Sequence, residues 1–266
     1  MPKFLDVPPP KTAPIFDRFT DEWLLELEEL KTSPSIKDGY TFNQEWNERT
    51  TTIQFILTAA NKLNLPPATS HTACVYFHRF FTRWSLKLYT PSFAVSACLF
   101  VACKHCDTSM KLEHIVKHVE VLNHHYKRQV PPEFTPDKLH ELCSLALRYE
   151  RQLLYTLAFK TEVKHPSTII AEFIKDTPLN RKSDPKRKFV SICNKFLHDS
   201  YQTPLCLLYP PEFIAATCIF LAVSYTKGSF EDIGGPSWFT TLHPELNRHD
   251  LDRASVILLK LYEQSS

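Results

Sequence analysis

Apolar residues recur every three or four positions along most of this chain, and prolines separate the segments that carry the pattern. Such spacing is typical of amphipathic α-helices, and no run of strand-like alternation is bounded by turns. Proline lacks an amide hydrogen, so it fits the start of a helix or the loop before it. The sequence therefore predicts an all-α fold. The predicted helices span residues 20–31, 44–63, 68–84, 91–106, 111–126, 136–157, 166–175, 186–201, 211–226 and 247–263.

An internal repeat organises these helices. Residues 89–102 align with residues 209–222, and tyrosine, proline, phenylalanine, cysteine and alanine recur in place. Each copy is a helix that begins at a proline and is apolar nearly all round, which is stable only when other helices surround it. The sequence thus predicts two consecutive helical bundles, each with a buried central helix, joined near residues 160–166.

The two copies differ at one charged position. Lys104 ends the apolar helix of the first copy, whereas the aligned residue of the second copy is Ser224. Glu150 lies at the edge of the apolar stripe of the helix predicted at 136–157, where a carboxylate is unexpected because a buried charge normally needs a partner. The residues alone leave two interpretations open. Lys104 and Glu150 either form an internal salt bridge within the first bundle, or both face a second protein.

Composition narrows the function classes. The 266 residues include four glycines and neither a dinucleotide-binding nor a P-loop motif, which excludes phosphate cradles of those types. The net charge is +2, so no long-range field favours a polyanion, and we expect no direct nucleic-acid binding. The first residues lack a secretory leader and no apolar run approaches the length of a membrane span. We therefore expect an intracellular protein without a membrane segment.

The cysteines and histidines do not favour a metal site. Most of the eight cysteines lie within apolar runs, where a reduced thiol acts as a small hydrophobic side chain. Cys103, Cys106, His114 and His118 resemble a zinc spacing, but the gap between the two pairs is shorter than usual and Cys103 belongs to the apolar helix. We expect no metal and no cofactor. Because the chain lacks hydrolase, protease and kinase signatures, we also expect no enzyme activity.

Two further segments carry charge or apolar residues at the surface. The densest basic run, residues 181–188, is predicted to be a solvated loop, with a nuclear-import signal and a partner-binding patch as the alternatives. The helix predicted at 20–31 is expected to pack on the first bundle through Trp23, Leu27 and Leu30, which share one stripe.

Seven short motifs carry a family resemblance. They lie at 33–35 with Gly39, at Arg49, and at 75–81, 111–117, 163–166, 211–215 and 238–239. In this order, over the internal repeat, they resemble the cyclin box, and specifically the transcriptional cyclins of the T, K and L group. The resemblance implies two tandem five-helix cyclin boxes after a short N-terminal helix. It implies an N-terminal segment at 1–40, a first, kinase-binding box at 41–160 and a second box at 161–266.

The resemblance also implies residue roles. The kinase-binding residues of the family are a lysine that ends the third box helix and a glutamate on the fifth, and they match Lys104 and Glu150. A family acidic position shortly after the lysine matches Asp107. This favours the interpretation in which the charged pair faces a second protein. The structural box residues that the resemblance implies are Arg49, His78, Arg79 and Phe93.

A regulatory function follows from the resemblance. It implies a nuclear cyclin subunit that binds a cyclin-dependent kinase, as a heterodimer or with a further subunit, and activates it. The implied substrate is the repeat tail of RNA polymerase II, so that transcription elongation is promoted. A TFIIB-like two-box core that binds nucleic acid is the alternative, although that class resembles a more basic chain preceded by paired cysteine motifs. A peptide-binding pocket of the retinoblastoma type is a third, weaker possibility.

Overall fold

The computed structural model describes residues 23–181 and 183–263. Within these ranges the chain forms α-helices, short 3-10 helices and no strand, which confirms the all-α prediction. The 3-10 helices are Pro178–Arg181, Phe230–Ile233 and Trp238–Thr241. The α-helices are α1 (Leu27–Leu30), α2 (Pro34–Lys37), α3 (Phe42–Lys62), α4 (Pro67–Arg83), α5 (Pro91–His105), α6 (Leu112–Tyr126), α7 (Pro136–Thr156), α8 (Pro166–Lys175), α9 (Ser183–Ser200), α10 (Leu205–Leu208), α11 (Pro211–Thr226) and α12 (Arg248–Glu263).

Prolines set the starts of most long helices. The first position of five long helices is a proline: Pro67, Pro91, Pro136, Pro166 and Pro211. An amide at this position would have no acceptor within the helix, so its absence in proline breaks no helical hydrogen bond. The predicted helices from 44–63 onward agree with the observed ones to within three residues at either end. Proline placement is local chemistry, which is why sequence locates these boundaries well.

The N-terminal helix was predicted wrongly. Residues 20–22 lie outside the described ranges, and the helix itself comprises only Leu27–Leu30. The amide of Leu25 donates a 2.7 Å hydrogen bond to the carbonyl of Leu207, so it makes no helical bond of its own. Of the apolar stripe, Leu30 is buried and Leu27 is exposed. The unpredicted helix α2 follows, capped by the Ser33 hydroxyl, which accepts from the amide of Ile36.

The basic run was also predicted wrongly in part. Helix α9 begins at Ser183, so residues 183–188 are helical and only the first residues of the run precede the helix. The prediction took Pro185 as a helix breaker. Proline is tolerated in the first turn of a helix, because amides there have no acceptor within the helix.

The described residues divide into two compact units. The first unit comprises Trp23 and the segments Leu27–Glu45 and Phe55–Glu162. The second comprises Leu24–Glu26, Trp46–Gln54 and the described residues from Val163 onward. The box boundaries implied by the resemblance, 41–160 and 161–266, stay predictions.

Helix α5 is the centre of the first unit. It contacts α4, α6 and α7, and residues 94–99 are buried on every side of the helix. The aromatic ring of Phe80 on α4 packs edge-on against Phe81 and Tyr89, with centroids 5.1 and 5.2 Å away. The indole nitrogen of Trp84 donates a 2.8 Å hydrogen bond to the Thr156 hydroxyl, which ties the end of α4 to the end of α7. This aromatic cluster fixes how α4, α5 and α7 are arranged.

Helix α11 is the centre of the second unit, as α5 is of the first. It contacts α8, α9, α10 and α12, and its buried residues again cover the whole circumference of the helix. Part of α3 belongs to this unit: the hydroxyl of Thr50 donates to the carbonyl of Gln202 at 2.9 Å, and the amide of Gln54 donates to the Gln202 side chain at 2.8 Å. Each unit is thus built around one fully enclosed helix.

We expect Phe80→Ala to lower the free energy of unfolding by about 3–5 kcal/mol, because it leaves a cavity in the aromatic cluster. Urea unfolding followed by circular dichroism measures the change. Tyr155→Ala is the control, since that ring is mostly exposed and its loss should change stability by about 0.5 kcal/mol or less. An equal effect of both substitutions would contradict the packing described for Phe80.

All eight cysteines are free thiols. We expect the buried ones to react with alkylating reagents more slowly than the partly exposed ones. Burial, with the neighbouring Cys106 as a lesser cause, raises the pKa of Cys103 to about 11, so this thiol stays protonated at mildly alkaline pH. We expect iodoacetamide to label the partly exposed Cys106 in the folded protein and to leave Cys103 unlabelled, as mass spectrometry of tryptic peptides would show. Both should react in guanidinium chloride. Labelling of native Cys103 as fast as Cys106 would contradict the buried position.

Candidate functional site

Lys104 and Glu150 meet at the surface of the first unit. The Lys104 Nζ atom lies 2.7 Å from Oε1 of Glu150 and donates a hydrogen bond to it. The Lys104 side chain is 56% exposed, whereas the Glu150 side chain is 11% exposed. The ammonium therefore compensates a nearly buried carboxylate and still faces solvent. The internal salt bridge exists, and it leaves the ammonium accessible to a second protein.

A cation–π contact and the helix dipole favour the position of Lys104, and a hydrogen bond fixes the helix that carries Glu150. The Lys104 ammonium lies 4.1 Å from the ring centroid of Phe100, one helical turn earlier on α5, in a cation–π contact. Lys104 also occupies the last turn of α5, where the helix dipole favours a cation. On the other helix, the Tyr149 hydroxyl accepts a 3.0 Å hydrogen bond from the Thr90 amide, which fixes α7 against the start of α5.

The second unit has no such charge at the corresponding place. The Ser224 hydroxyl donates a 3.0 Å hydrogen bond to the carbonyl of Phe220 within its own helix. The asymmetry seen in the sequence is therefore a difference in surface chemistry between two similar cores.

A cavity of mixed polarity lies near the pair, with Lys111, Glu113, Lys117 and His140 among its lining residues. It has a volume of about 830 Å³ and lies between the end of α5, the start of α6 and the start of α7. Phe100 belongs both to this cavity and to the cation–π contact of Lys104. Its apolar lining includes Leu112, Phe134, Leu139 and Cys143. A volume of this size accommodates one or two bulky side chains of a partner.

Apolar side chains are exposed on and just after α7. Leu147 is partly exposed, Tyr155 is mostly exposed, and Phe159 is 63% exposed just after the helix. Phe159 and the preceding Ala158 have φ angles of +61° and +48°, a conformation that costs about 1–2 kcal/mol for a residue other than glycine. The Phe159 amide donates a 2.9 Å hydrogen bond to the carbonyl of Leu154 and closes the helix end. The turn thus holds an apolar ring in solvent at a cost in backbone conformation.

Asp107 lies in the turn that ends α5. Its φ angle is +49°, which aspartate tolerates better than most residues, and its side chain is exposed. The next amide, of Thr108, donates a 2.8 Å hydrogen bond to the carbonyl of Cys103, as in a Schellman helix end. Asp107 is thus three residues after Lys104 and forms part of the turn that ends α5. Its role in kinase binding stays a prediction.

The residues predicted to be structural occupy different environments. Arg49 and His78 are fully buried, and the Arg49 guanidinium lies 5.1 Å from the ring centroid of Trp46. The Arg79 guanidinium lies 5.0 Å from the ring of Trp23. Phe93 packs against a small cluster of Val116, Leu142 and Ala146 in the first unit. None of these four residues belongs to the Lys104–Glu150 pair.

The residues with a zinc-like spacing have other contacts. Cys103 is buried in α5. On α6, Nδ1 of His118 lies 2.9 Å from the carbonyl of His114, and Nδ1 of His114 lies 3.2 Å from the sulfur of Met110. Among the described residues, no group of three or more histidine, cysteine, aspartate or glutamate side chains is arranged to hold a metal ion.

Sequence reasoning located the charged pair and missed the apolar part of the surface. Phe134, Leu139 and Cys143 lie on a different element from Phe100, so only the fold brings them together. Tyr155 and Phe159 carried a weak signal, since two aromatic residues four apart at the end of a helix follow Glu150 on the chain. Across residues 23–181 and 183–263, no helix combines the length and the apolar character needed to cross a membrane.

Two successive helical units, each enclosing a proline-initiated apolar helix, define a cyclin-type fold. The chain belongs to the cyclin family: the family described as "Cyclin, N-terminal domain" matches residues 21–162, which is more than half of the sequence. This confirms the resemblance. Cyclins are non-catalytic regulatory subunits of protein kinases, so the chain is a regulator and not itself an enzyme.

Relatives with similar sequences include cyclin Pch1 and cyclin-T proteins. The chain is 28% identical to cyclin Pch1 of Schizosaccharomyces pombe over 256 residues, covering 96% of this chain and 72% of that protein. It is 28% identical to a putative cyclin-T1-1 of Arabidopsis thaliana, covering 92% of this chain and 95% of that protein. Identity to mouse cyclin-T2 is 27%, over 92% of this chain but 33% of the mouse protein.

Solved structures share the fold. A chain of the yeast RNA Pol II CTD kinase CTDK-1 complex superposes with a TM-score of 0.71 at 16% identity, covering 92% of this chain and 74% of that one. A chain of the yeast TFIIK (Kin28/Ccl1/Tfb3) complex superposes with a TM-score of 0.60, also at 16% identity, covering 89% of this chain and 96% of that one. At these identities the likeness establishes the cyclin fold.

Proposed function

We propose that this cyclin binds and activates a cyclin-dependent kinase that phosphorylates the C-terminal repeat tail of RNA polymerase II, and that it acts in the nucleus to promote transcription elongation. The observation that carries the proposal is the surface of the first unit, which presents an exposed ammonium, a cavity lined in part by apolar residues, and exposed apolar rings. Family membership makes a kinase the partner, and a TFIIB-like core no longer fits because the family match is to cyclins.

The charged pair suits the backbone of a partner helix. The last carbonyls of a helix carry partial negative charge and lack intrahelical donors, so an exposed ammonium can bind them. Lys104 offers such an ammonium, and Glu150 holds it in position from the side. Asp107, exposed in the adjoining turn, is the third residue to which we assign a kinase contact.

The apolar part of the surface suits side chains on the same helix. The cavity beside Phe100 accepts a bulky apolar side chain of the partner. The exposed ring of Phe159 packs against a second apolar side chain of the partner. Because water leaves both places on binding, these contacts supply most of the affinity, while the charged pair sets orientation.

Activation follows from binding one conformation of the kinase better than another. A protein kinase is active only when the glutamate of its mobile C-helix pairs with the lysine that positions the ATP phosphates. A cyclin surface that fits the inward position of this helix shifts the population toward the active state by its difference in affinity. The cyclin contributes no catalytic group.

The substrate and compartment rest on the relatives. Cyclin Pch1 and the cyclin-T proteins are transcriptional cyclins, and the CTDK-1 complex is named as an RNA Pol II CTD kinase. A repeat tail of RNA polymerase II as substrate, and a nuclear location, are consistent with these names. Affinity purification of the tagged chain, followed by mass spectrometry, would identify the kinase.

We expect the double substitution Lys104→Glu, Glu150→Lys to abolish kinase association while the protein stays folded. The exchange keeps an internal ion pair but puts a carboxylate at the exposed position where the wild type has an ammonium. Co-purified kinase and phosphorylation of a synthetic repeat-tail peptide measure the loss, and thermal unfolding checks the fold.

The second unit offers a matched control. Lys164 and Glu212 form an ion pair with similar exposures, 66% and 18%, and neither residue belongs to the proposed surface. Exchanging those two residues should leave kinase activation unchanged. If the Lys104/Glu150 exchange activated the kinase normally, or if both exchanges abolished activation equally, the assigned surface would be wrong.

For Phe159→Gly we expect opposite effects on stability and binding. Glycine adopts a positive φ without a steric cost, so the free energy of unfolding should stay constant or rise by up to about 1 kcal/mol. The lost apolar ring should weaken kinase binding about tenfold, measured by biolayer interferometry. Tyr225→Ala removes an exposed ring of the second unit and should leave binding unchanged. Unaltered binding of Phe159→Gly would remove Phe159 from the docking surface.

A further inference from the structure

A groove in the second unit is unused by the function proposed above. It has a volume of about 570 Å³ and lies between α8, the start of α11 and the segment that connects α11 to α12. Phe173, Ile233 and Trp238 form its apolar floor, and the rings of Phe173 and Trp238 lie 5.5 Å apart. Ile169 and Leu242, which are partly exposed, line its sides.

A tight turn builds this floor. The 3-10 helix Phe230–Ile233 ends at Gly234, whose φ angle of +112° is a conformation that favours glycine. The chain then re-enters a 3-10 helix at Trp238, and the Thr241 hydroxyl donates a 2.6 Å hydrogen bond to the Trp238 carbonyl. The indole ring is thereby fixed, since Trp238 is 2% exposed. The groove is a preformed feature of the second unit.

One wall of the groove carries two carboxylates that have no partner among the described residues. Glu172 on α8 and Asp176, the C-cap residue of that helix, are exposed and four positions apart, and neither side chain forms an ion pair or hydrogen bond with any described residue. Both lie near the C-terminal end of α8, where the helix dipole disfavours carboxylates, and like charges at this spacing repel each other. The two carboxylates are therefore open to pairing with a cation from outside the described residues.

The opposite wall is neutral. Lys164 pairs with Glu212, which satisfies the single ammonium of the lining. Three carboxylates and one ammonium give the groove a net charge of −2, and the excess belongs to Glu172 and Asp176. An anionic ligand would meet repulsion here, whereas a cationic one would be attracted.

We propose that this groove docks a short peptide segment of a partner protein that combines a bulky apolar side chain with a nearby lysine or arginine. The apolar side chain lies against the partly exposed Phe173, Ile169 and Leu242, and the cation pairs with Glu172 and Asp176. The volume fits a few side chains of a linear segment, as in other peptide-recognition grooves. The proposal does not rest on kinase binding, because the groove shares no residue with the surface around Lys104.

A phage-displayed library of random dodecapeptides, selected on the purified full chain, tests this proposal. We expect the selected peptides to combine leucine or an aromatic residue with lysine or arginine. A synthetic copy of a selected peptide should bind the wild-type chain in a fluorescence anisotropy titration, more weakly as sodium chloride is raised. The double substitution Glu172→Lys, Asp176→Lys should weaken binding at least about tenfold, and Thr241→Trp, which fills the groove without changing charge, should do the same.

The control variant is Glu245→Lys, Glu263→Lys, which changes the net charge equally at exposed residues outside the groove lining and should bind like the wild type. Circular dichroism confirms that each variant is folded. Selection of acidic peptides, failure to enrich any peptide above uncoated beads, or equal binding by the groove variants would overturn the proposal. Kinase activation by Glu172→Lys, Asp176→Lys should be normal, so this test and the test of the proposed function fail independently.

Discussion

A helix that is apolar on every side cannot face water, and this constraint organises both units. Helices α5 and α11 must each be enclosed, so the neighbouring helices are arranged around them. A charged side chain on the central helix can then reach solvent only near its ends, although uncharged polar residues such as Ser96 and Thr217 are buried within it. In the first unit, Lys104 lies at the exposed end of α5, beside Glu150. In the second unit, the aligned residue near the end of α11 is Ser224. The charged pair thus lies where the enclosed helix reaches the surface.

Sequence predicted the parts of the fold that local chemistry decides. Prolines at the first helical position and apolar periodicity located the long helices, and the repeat revealed the two enclosed ones. Lys104 and Glu150 were found because a charge interrupts an apolar pattern. The helix predicted at 20–31 failed because a distant carbonyl, that of Leu207, takes the amide of Leu25. The start of α9 was misplaced because Pro185 is tolerated in a first turn.

The remaining features depend on distances between residues far apart on the chain. The cavity beside Phe100 needs Phe134 from the loop before α7, and the groove of the second unit needs Trp238 against Phe173. The positive φ of Phe159 gives no sequence signal, because phenylalanine rarely adopts it. The two units therefore illustrate how similar cores leave surfaces free to differ. One presents a cation among apolar groups, and the other presents carboxylates beside an apolar floor.

The position of Lys104 between the Phe100 ring and the Glu150 carboxylate has a consequence for the thermodynamics of association. A free lysine loses about 2 kcal/mol of rotamer entropy when a complex immobilises it. Here folding has already restricted the side chain, so little of that entropy remains to be lost at the encounter. The cyclin meets its partner with the ammonium preorganised, and association at this point resembles the docking of two rigid bodies.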